Sequence, residues 1–152
     1  MSTPEERLAE MGLAVPEVAK PVAAYVPAVR SGNHVFTSGQ LPMRSGELMA
    51  TGKVGADVTA EEAYACAQQC ALNALAAVRA EIGELSRVKR VVKAVVFVAS
   101  TPDFTGQPGV ANGASELLGS VFGDAGVHAR SAVGVSALPL DAPVEVEIVV
   151  EV

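Results

Sequence analysis

The spacing of hydrophobic positions changes along this chain, and each change marks an element. From Glu61 to Glu84 apolar residues recur at helical intervals, with Ala63, Cys66, Ala67, Cys70, Ala74 and Val78 forming one stripe. Thr59 and Glu62 stand where a capping box would open this helix, and Gly83 stands where it would end. A second amphipathic helix is predicted over Val110 to Phe122. A short one is predicted over Thr3 to Met11, opened by Thr3-Pro4-Glu5-Glu6 and closed by Gly12. Elsewhere the pattern is that of strands. Val88 to Ala99 contains the run VVKAVVFVA, apolar and β-branched, as expected of a central strand buried on both faces. Tyr25 to Arg30 and His34 to Ser38 form a hairpin around Ser31-Gly32-Asn33. The glycine-rich stretch from Gln40 to Asp57 has room for a short strand at Glu47 to Lys53, and Thr101 to Gly109 reads as a loop. At the end of the chain Arg130 and Ala132 to Val135 read as one strand, Leu138 to Pro143 as a turn, and Val144 to Val152 as a strand alternating Val or Ile with Glu. These last two strands are expected to pair as a hairpin. The order ββ(β)αβαββ predicts an α+β fold, a mixed sheet with two main helices packed on one face and a short N-terminal helix besides.

Composition narrows what such a fold can do. Half of the 152 residues are hydrophobic, yet aromatics make up 4% and Trp is absent, so the core must be built from Ala, Val and Leu. That length suits a single domain with its own core. Residues 1–19 read as an N-terminal helical extension and 20–152 as the domain proper. No apolar run reaches membrane-spanning length and the N-terminus is acidic, which implies a cytoplasmic protein. Eleven Lys and Arg against 17 Asp and Glu leave a net charge of −6, unfavourable for nucleic acid or anionic lipid. The basic cluster of Arg87, Lys89, Arg90 and Lys93 fits a solvated strand entrance. Cys66 and Cys70 fall on the packing stripe, and neither His34 nor His128 is near them in sequence, so they read as small core residues with no metal implied.

The residues that carry chemistry lie in the closing strands. Period-two alternation puts Glu145, Glu147, Val149 and Glu151 on one face of their strand. Arg130 is a fixed cation able to grip a planar carboxylate through two parallel hydrogen bonds, and a nearby glutamate can orient or deprotonate water. The same alternation is also the ordinary pattern of a half-solvated edge strand. His128 shares the Arg130 face of its strand.

Three runs in order, YVPAVRSGNHVFTSGQLP, VVKAVVFVASTPDF and ARSAVGVSALPLDAPVEVEI, with a helix between the first two, resemble the YjgF/YER057c/UK114 group, the reactive-intermediate deaminases or Rid proteins. The resemblance covers about residues 20–152. It implies a fold like the bacillus type of chorismate mutase, a homotrimer with clefts between subunits, no cofactor, and hydrolysis of enamines and imines such as 2-aminoacrylate to 2-oxo acids and ammonia. By the same resemblance Arg130 falls on the carboxylate-binding arginine, Glu145 on the acid that positions water, Tyr25 on a cleft tyrosine, Gly39 on a glycine whose backbone lines the pocket, and Asn112 on a cleft-facing asparagine. Many relatives carry a cysteine two residues after the arginine; here Ala132 stands there. Several extra residues lie between Phe104 and Asn112, and the first helix, Thr3 to Met11, with the longer glycine-rich segment sets this chain in an extended branch. A non-catalytic trimer that binds small carboxylates or 2-oxo acids is the alternative function. The endoribonuclease label long attached to the family sits poorly with the acidic charge and the lack of an aromatic and basic platform.

Overall fold

The computed structural model describes residues 2–19 and 24–152. The boundary expected at residue 20 lies outside the described residues. Helix α1, Pro4–Glu10, is opened by Thr3, whose side chain accepts from the Glu6 N–H while Glu6 reaches back to the Thr3 N–H. Strands β1, Ala28–Ser31, and β2, His34–Thr37, form the expected hairpin, and Gly32 supplies the positive φ of 60° that its turn needs. A two-residue ladder, β3 at Met43–Arg44 and β4 at Glu47–Leu48, occupies the glycine-rich stretch, shorter than the strand expected at Glu47 to Lys53. Helix α2 runs Ala60–Ile82, strand β5 Arg90–Ala99, helix α3 Gln107–Phe122, strand β6 Ala129–Val135 and strand β7 Val144–Glu151. Thr59 caps α2 by accepting from the Glu62 N–H, although the Glu62 carboxylate meets the Thr59 hydroxyl and not its backbone N–H.

The main sheet has the order β1-β2-β7-β5-β6. Two expectations fail here for one reason. β6 and β7 are not a hairpin: β5 lies between them, parallel to β6 and antiparallel to β7. The connection from β5 to β6 contains α3, which packs back on the sheet and returns the chain beside β5 in the same direction, as a βαβ unit requires. With that edge of β5 taken, the chain after β6 crosses to the other edge. It does so through Ser136 to Pro143, where Leu140 and Asp141 both have φ of 60°. β7 is therefore the middle strand, and β5 is buried on its helix face but only half-buried on the other.

That asymmetry organises the molecule. Val91, Ala94, Val96 and Val98 of β5 and Val144, Val146, Ile148 and Val150 of β7 are all buried against α2 and α3, while Glu145, Glu147, Val95 and Phe97 face the open side. α2 and α3 approach closely because residue 113 is glycine; a Cβ there would lie 3.0 Å from the Tyr64 carbonyl carbon. Leu8 of α1 is fully buried in the same core, and the Arg7 guanidinium donates to the Val121 carbonyl, so α1 closes the C-terminal end of α3.

Candidate functional site

The strand register decides where the candidate residues lie. Arg130 pairs with Ala94, and Ala94 with Ile148, all on the helix face. Glu145 pairs with Phe97 on the open face. Arg130 and Glu145 of one chain thus point to opposite sides of the sheet. At strand spacings they stand roughly 14 Å apart between Cα atoms, two strands across and three residues along. The structure brings the candidates together in two groups instead of one.

The first group surrounds Arg130. Its Nη1 donates to Asn112 Oδ1 at 2.8 Å and to Ser115 Oγ at 3.2 Å. Asn112 and Ser115 are three apart on α3, one turn, so both face the strand beneath. Ser115 Oγ also lies 2.9 Å from His128 Nε2, whose ring is held by the Gly126 carbonyl at 2.6 Å from Nδ1. Asn112 is therefore in register with Arg130 despite the longer preceding loop. Ser115 was invisible to sequence reasoning. Its one available signal is its place a turn after Asn112, which means something only once β6 is known to run under α3. His128 and Arg130 share a face, as the strand period requires, and Ala132 follows on that face.

The second group surrounds Glu145. Strand β2 leaves β7 after Phe36, the Thr37 hydroxyl takes the Ile148 N–H at 3.0 Å, and Gln40 rejoins β7 by exchanging two backbone bonds with Val146. Between them the chain passes over Glu145 at Gly39. A Cβ on Gly39 would overlap Glu145 Oε2 and lie 2.7 Å from its Cδ. The glycine thus serves a close approach and not a turn, since its φ is not in the positive region. Burial raises the Glu145 carboxyl above its usual range, with the charge of Glu147 adding to the effect. Tyr25 precedes β1 and is 52% exposed. Its segment is tied to this group by Ser38, which donates from Oγ to the Val26 carbonyl and from N to the Pro27 carbonyl.

Cys66, Cys70, Arg87 and Arg90 have structural employment. Cys66 and Cys70 are buried free thiols on the core side of α2; burial pushes Cys66 up to about 11 and Cys70 well above the usual thiol range. Arg87 and Arg90 donate to the Ile82 and Val127 carbonyls. Among the described residues no three His, Cys, Asp or Glu side chains gather as metal ligands, and no helix is long and apolar enough to cross a membrane.

Residues 5–152 match the family described as "YjgF/chorismate_mutase-like, putative endoribonuclease". Protein TCP17 of Trypanosoma cruzi is 49% identical over 145 residues, covering 95% of this chain and 91% of that protein. The 2-iminobutanoate/2-iminopropanoate deaminase of Dermatophagoides farinae is 34% identical over 140 residues, covering 91% and 93%. The crystal structure of protein Atu1372 from Agrobacterium tumefaciens, described as of unknown function, superposes with a TM-score of 0.93 at 47% identity, covering 98% of this chain and 92% of that one. The chain belongs to the YjgF/YER057c/UK114 family, with the α+β fold of its chorismate mutase-like members.

Proposed function

We propose that the protein hydrolyses small imines or enamines bearing a carboxylate to 2-oxo acids and ammonia, in clefts formed between copies of the chain in a homotrimer. The observation that carries this reading is the division of the candidate residues. Arg130 occupies an edge strand, with both Nη1 hydrogens held by Asn112 and Ser115. Its Nε and Nη2 edge is the one that remains to grip a carboxylate in two-point fashion. Glu145 lies on the opposite, open face, which also exposes Val29, Phe36 and Val133. A second copy laid against that face would cover these apolar side chains and bring its own arginine group to the glutamate. The deaminase relatives support the reaction class.

The chemistry asks for little else. Arg130 fixes the substrate carboxylate and with it the plane of the C=N bond. A carboxyl held above its usual range keeps its proton nearer to neutrality, so Glu145 can protonate the imine nitrogen and then accept a proton from the attacking water. Water adds to the C=N carbon, the hydroxyl proton of the tetrahedral adduct passes by way of Glu145 to the amine nitrogen, the C–N bond breaks with release of ammonia, and a 2-oxo acid remains.

The test uses 2-iminobutanoate generated in situ, with 2-oxobutanoate formation followed above the spontaneous rate. Arg130→Ala and Glu145→Ala should each abolish the enzymatic excess. Mixing the two inactive proteins through subunit exchange should restore roughly a quarter of the activity, because a random hybrid cleft takes its arginine and its glutamate from different copies. No recovery in a demonstrated hybrid would overturn the shared cleft. Tight binding of 2-oxobutanoate with no turnover would favour the non-catalytic carboxylate-binding alternative.

A further inference from the structure

We propose that His128 is a positioning residue, which acts through the Ser115 hydroxyl to hold Arg130 in its ligand-gripping orientation. The inference rests on the carboxylate-binding reading of Arg130 and extends it to two residues with no assigned role.

The hydrogen bonds fix the direction of the relay. The Gly126 carbonyl can only accept, so the His128 nitrogen 2.6 Å from it, Nδ1, carries the proton. In the neutral ring Nε2 is then a bare acceptor, and the Ser115 hydroxyl 2.9 Å away must donate to it. With its hydrogen committed to His128, Ser115 Oγ turns its lone pairs to Arg130, whose Nη1 donates at 3.2 Å; Asn112 Oδ1 accepts the second Nη1 hydrogen at 2.8 Å. Without His128, the Ser115 hydroxyl is free to rotate, and as a helical serine it has its own backbone carbonyls as alternative acceptors. The consequence is which edge of the guanidinium is offered. With Nη1 saturated, a carboxylate meets the Nε and Nη2 hydrogens and no other pair.

The scaffold under the relay is tight. A Cβ on Gly126 would lie 2.8 Å from the Leu118 carbonyl carbon, so the residue that orients the imidazole is itself wedged against α3, the helix that carries Asn112 and Ser115. Gly113 seats that helix on α2 at Tyr64. Ring, hydroxyl and guanidinium are therefore referred to one rigid helix, the condition for a group two bonds away to control a ligand contact.

Calorimetric titration with 2-oxobutanoate, together with steady-state kinetics on 2-iminobutanoate, tests the relay. Ser115→Ala and His128→Ala should each weaken binding about tenfold, the double variant no more than either alone, and Ser115→Thr, which restores a hydroxyl, should return to near the wild-type value. KM should rise with kcat held, because the arginine grips the carboxylate in ground and transition states alike. Should His128→Ala fail to fold, His128→Asn keeps a donor for Gly126 while removing the acceptor for Ser115, and it should show the same loss of affinity. In an Arg130→Ala background none of these substitutions should change the residual affinity. Wild-type affinity in the Ser115 and His128 variants, with Arg130→Ala weakened, would overturn the relay alone. So would equal losses in the Arg130→Ala background, which would mark the two residues as structural. Absence of 2-oxobutanoate binding by the wild-type protein would overturn both the relay and the carboxylate reading beneath it.

Discussion

Gly39→Ala separates folding from chemistry at the Glu145 group. The added methyl would lie 2.7 Å from Glu145 Cδ and closer still to Oε2, whereas ordinary contact begins near 3.4 Å. The carboxyl must therefore retreat by about 1 Å, and it can, because it is the end of a flexible side chain and not backbone. The backbone at residue 39 lies outside the positive-φ region that penalises alanine. Replacing Gly by Ala also reduces the entropy of the unfolded chain, a gain of about 0.4–1 kcal/mol at compatible positions. Stability should thus change by less than about 1 kcal/mol in either direction. The reaction we propose is far less tolerant, since a displacement of about 1 Å in a group that acts on the substrate costs on the order of 10²-fold in rate. The expected result is a well-folded protein with a normal thermal midpoint, nearly normal 2-oxobutanoate binding and kcat for 2-iminobutanoate lowered on the order of 10²-fold. In the Glu145→Ala background, where turnover is already lost, adding Gly39→Ala should leave 2-oxobutanoate affinity unchanged, because the group it displaces is gone. A folded Gly39→Ala protein with wild-type kcat would refute the argument that the position of this carboxylate matters, and a further loss of 2-oxobutanoate affinity in the Glu145→Ala background would show that the glycine acts by another route.

Other substitutions probe separate links. Arg130→Lys keeps the charge but not the planar fork, so calorimetry should show most 2-oxobutanoate affinity lost; equal affinity would refute two-point recognition. Leu8→Ala empties a fully buried position where α1 meets the core and should cost about 2–4 kcal/mol in denaturant titration, while a loss below about 1 kcal/mol would mean that α1 is not integral to the core. For Glu145→Gln the sign follows from the raised carboxyl. Its stabilising contribution is complete below the unfolded carboxyl range near about 4.3 and is lost as pH rises through the higher folded value. Gln should therefore raise the thermal midpoint at pH 7 relative to wild type, with the difference vanishing near pH 4. A lowered midpoint at pH 7 would instead show that a cation pairs with the carboxylate in the assembled protein.

The parts of this fold that were legible in the sequence are those set by neighbours along the chain. Thr3 and Thr59 announced two helix starts, Gly12 and Gly83 two ends, and Ser31-Gly32-Asn33 a hairpin, because capping and turn formation are completed within a few residues. The alternation of β7 correctly put Glu145 and Glu147 on one face. Strand pairing is different in kind. Nothing within Ala129 to Glu151 says that β5 will stand between β6 and β7; that follows from α3, which ends before β6 begins and commits the chain to a parallel return. Adjacency in sequence suggested a hairpin, and the crossover overrode it.

The same insertion determines what one chain can do. In a β6–β7 hairpin, Arg130 and Glu145 could have been arranged as near neighbours on one surface, and a single chain would have had both groups at hand. With β5 interposed and the register as it is, Arg130 belongs to α3 and its polar residues, while Glu145 belongs to Gly39 and the open face. Each group is well supported locally, the arginine by Asn112 and Ser115 and the carboxyl by the missing side chain at residue 39. Neither supplies by itself both a grip on a carboxylate and a proton-transfer group for a C=N bond. The homotrimeric cleft we propose is thus tied to strand order: because the topology separates the two groups, joining them is left to a contact between copies, and chemistry that depends on both should be lost when that contact is broken even if each chain remains folded.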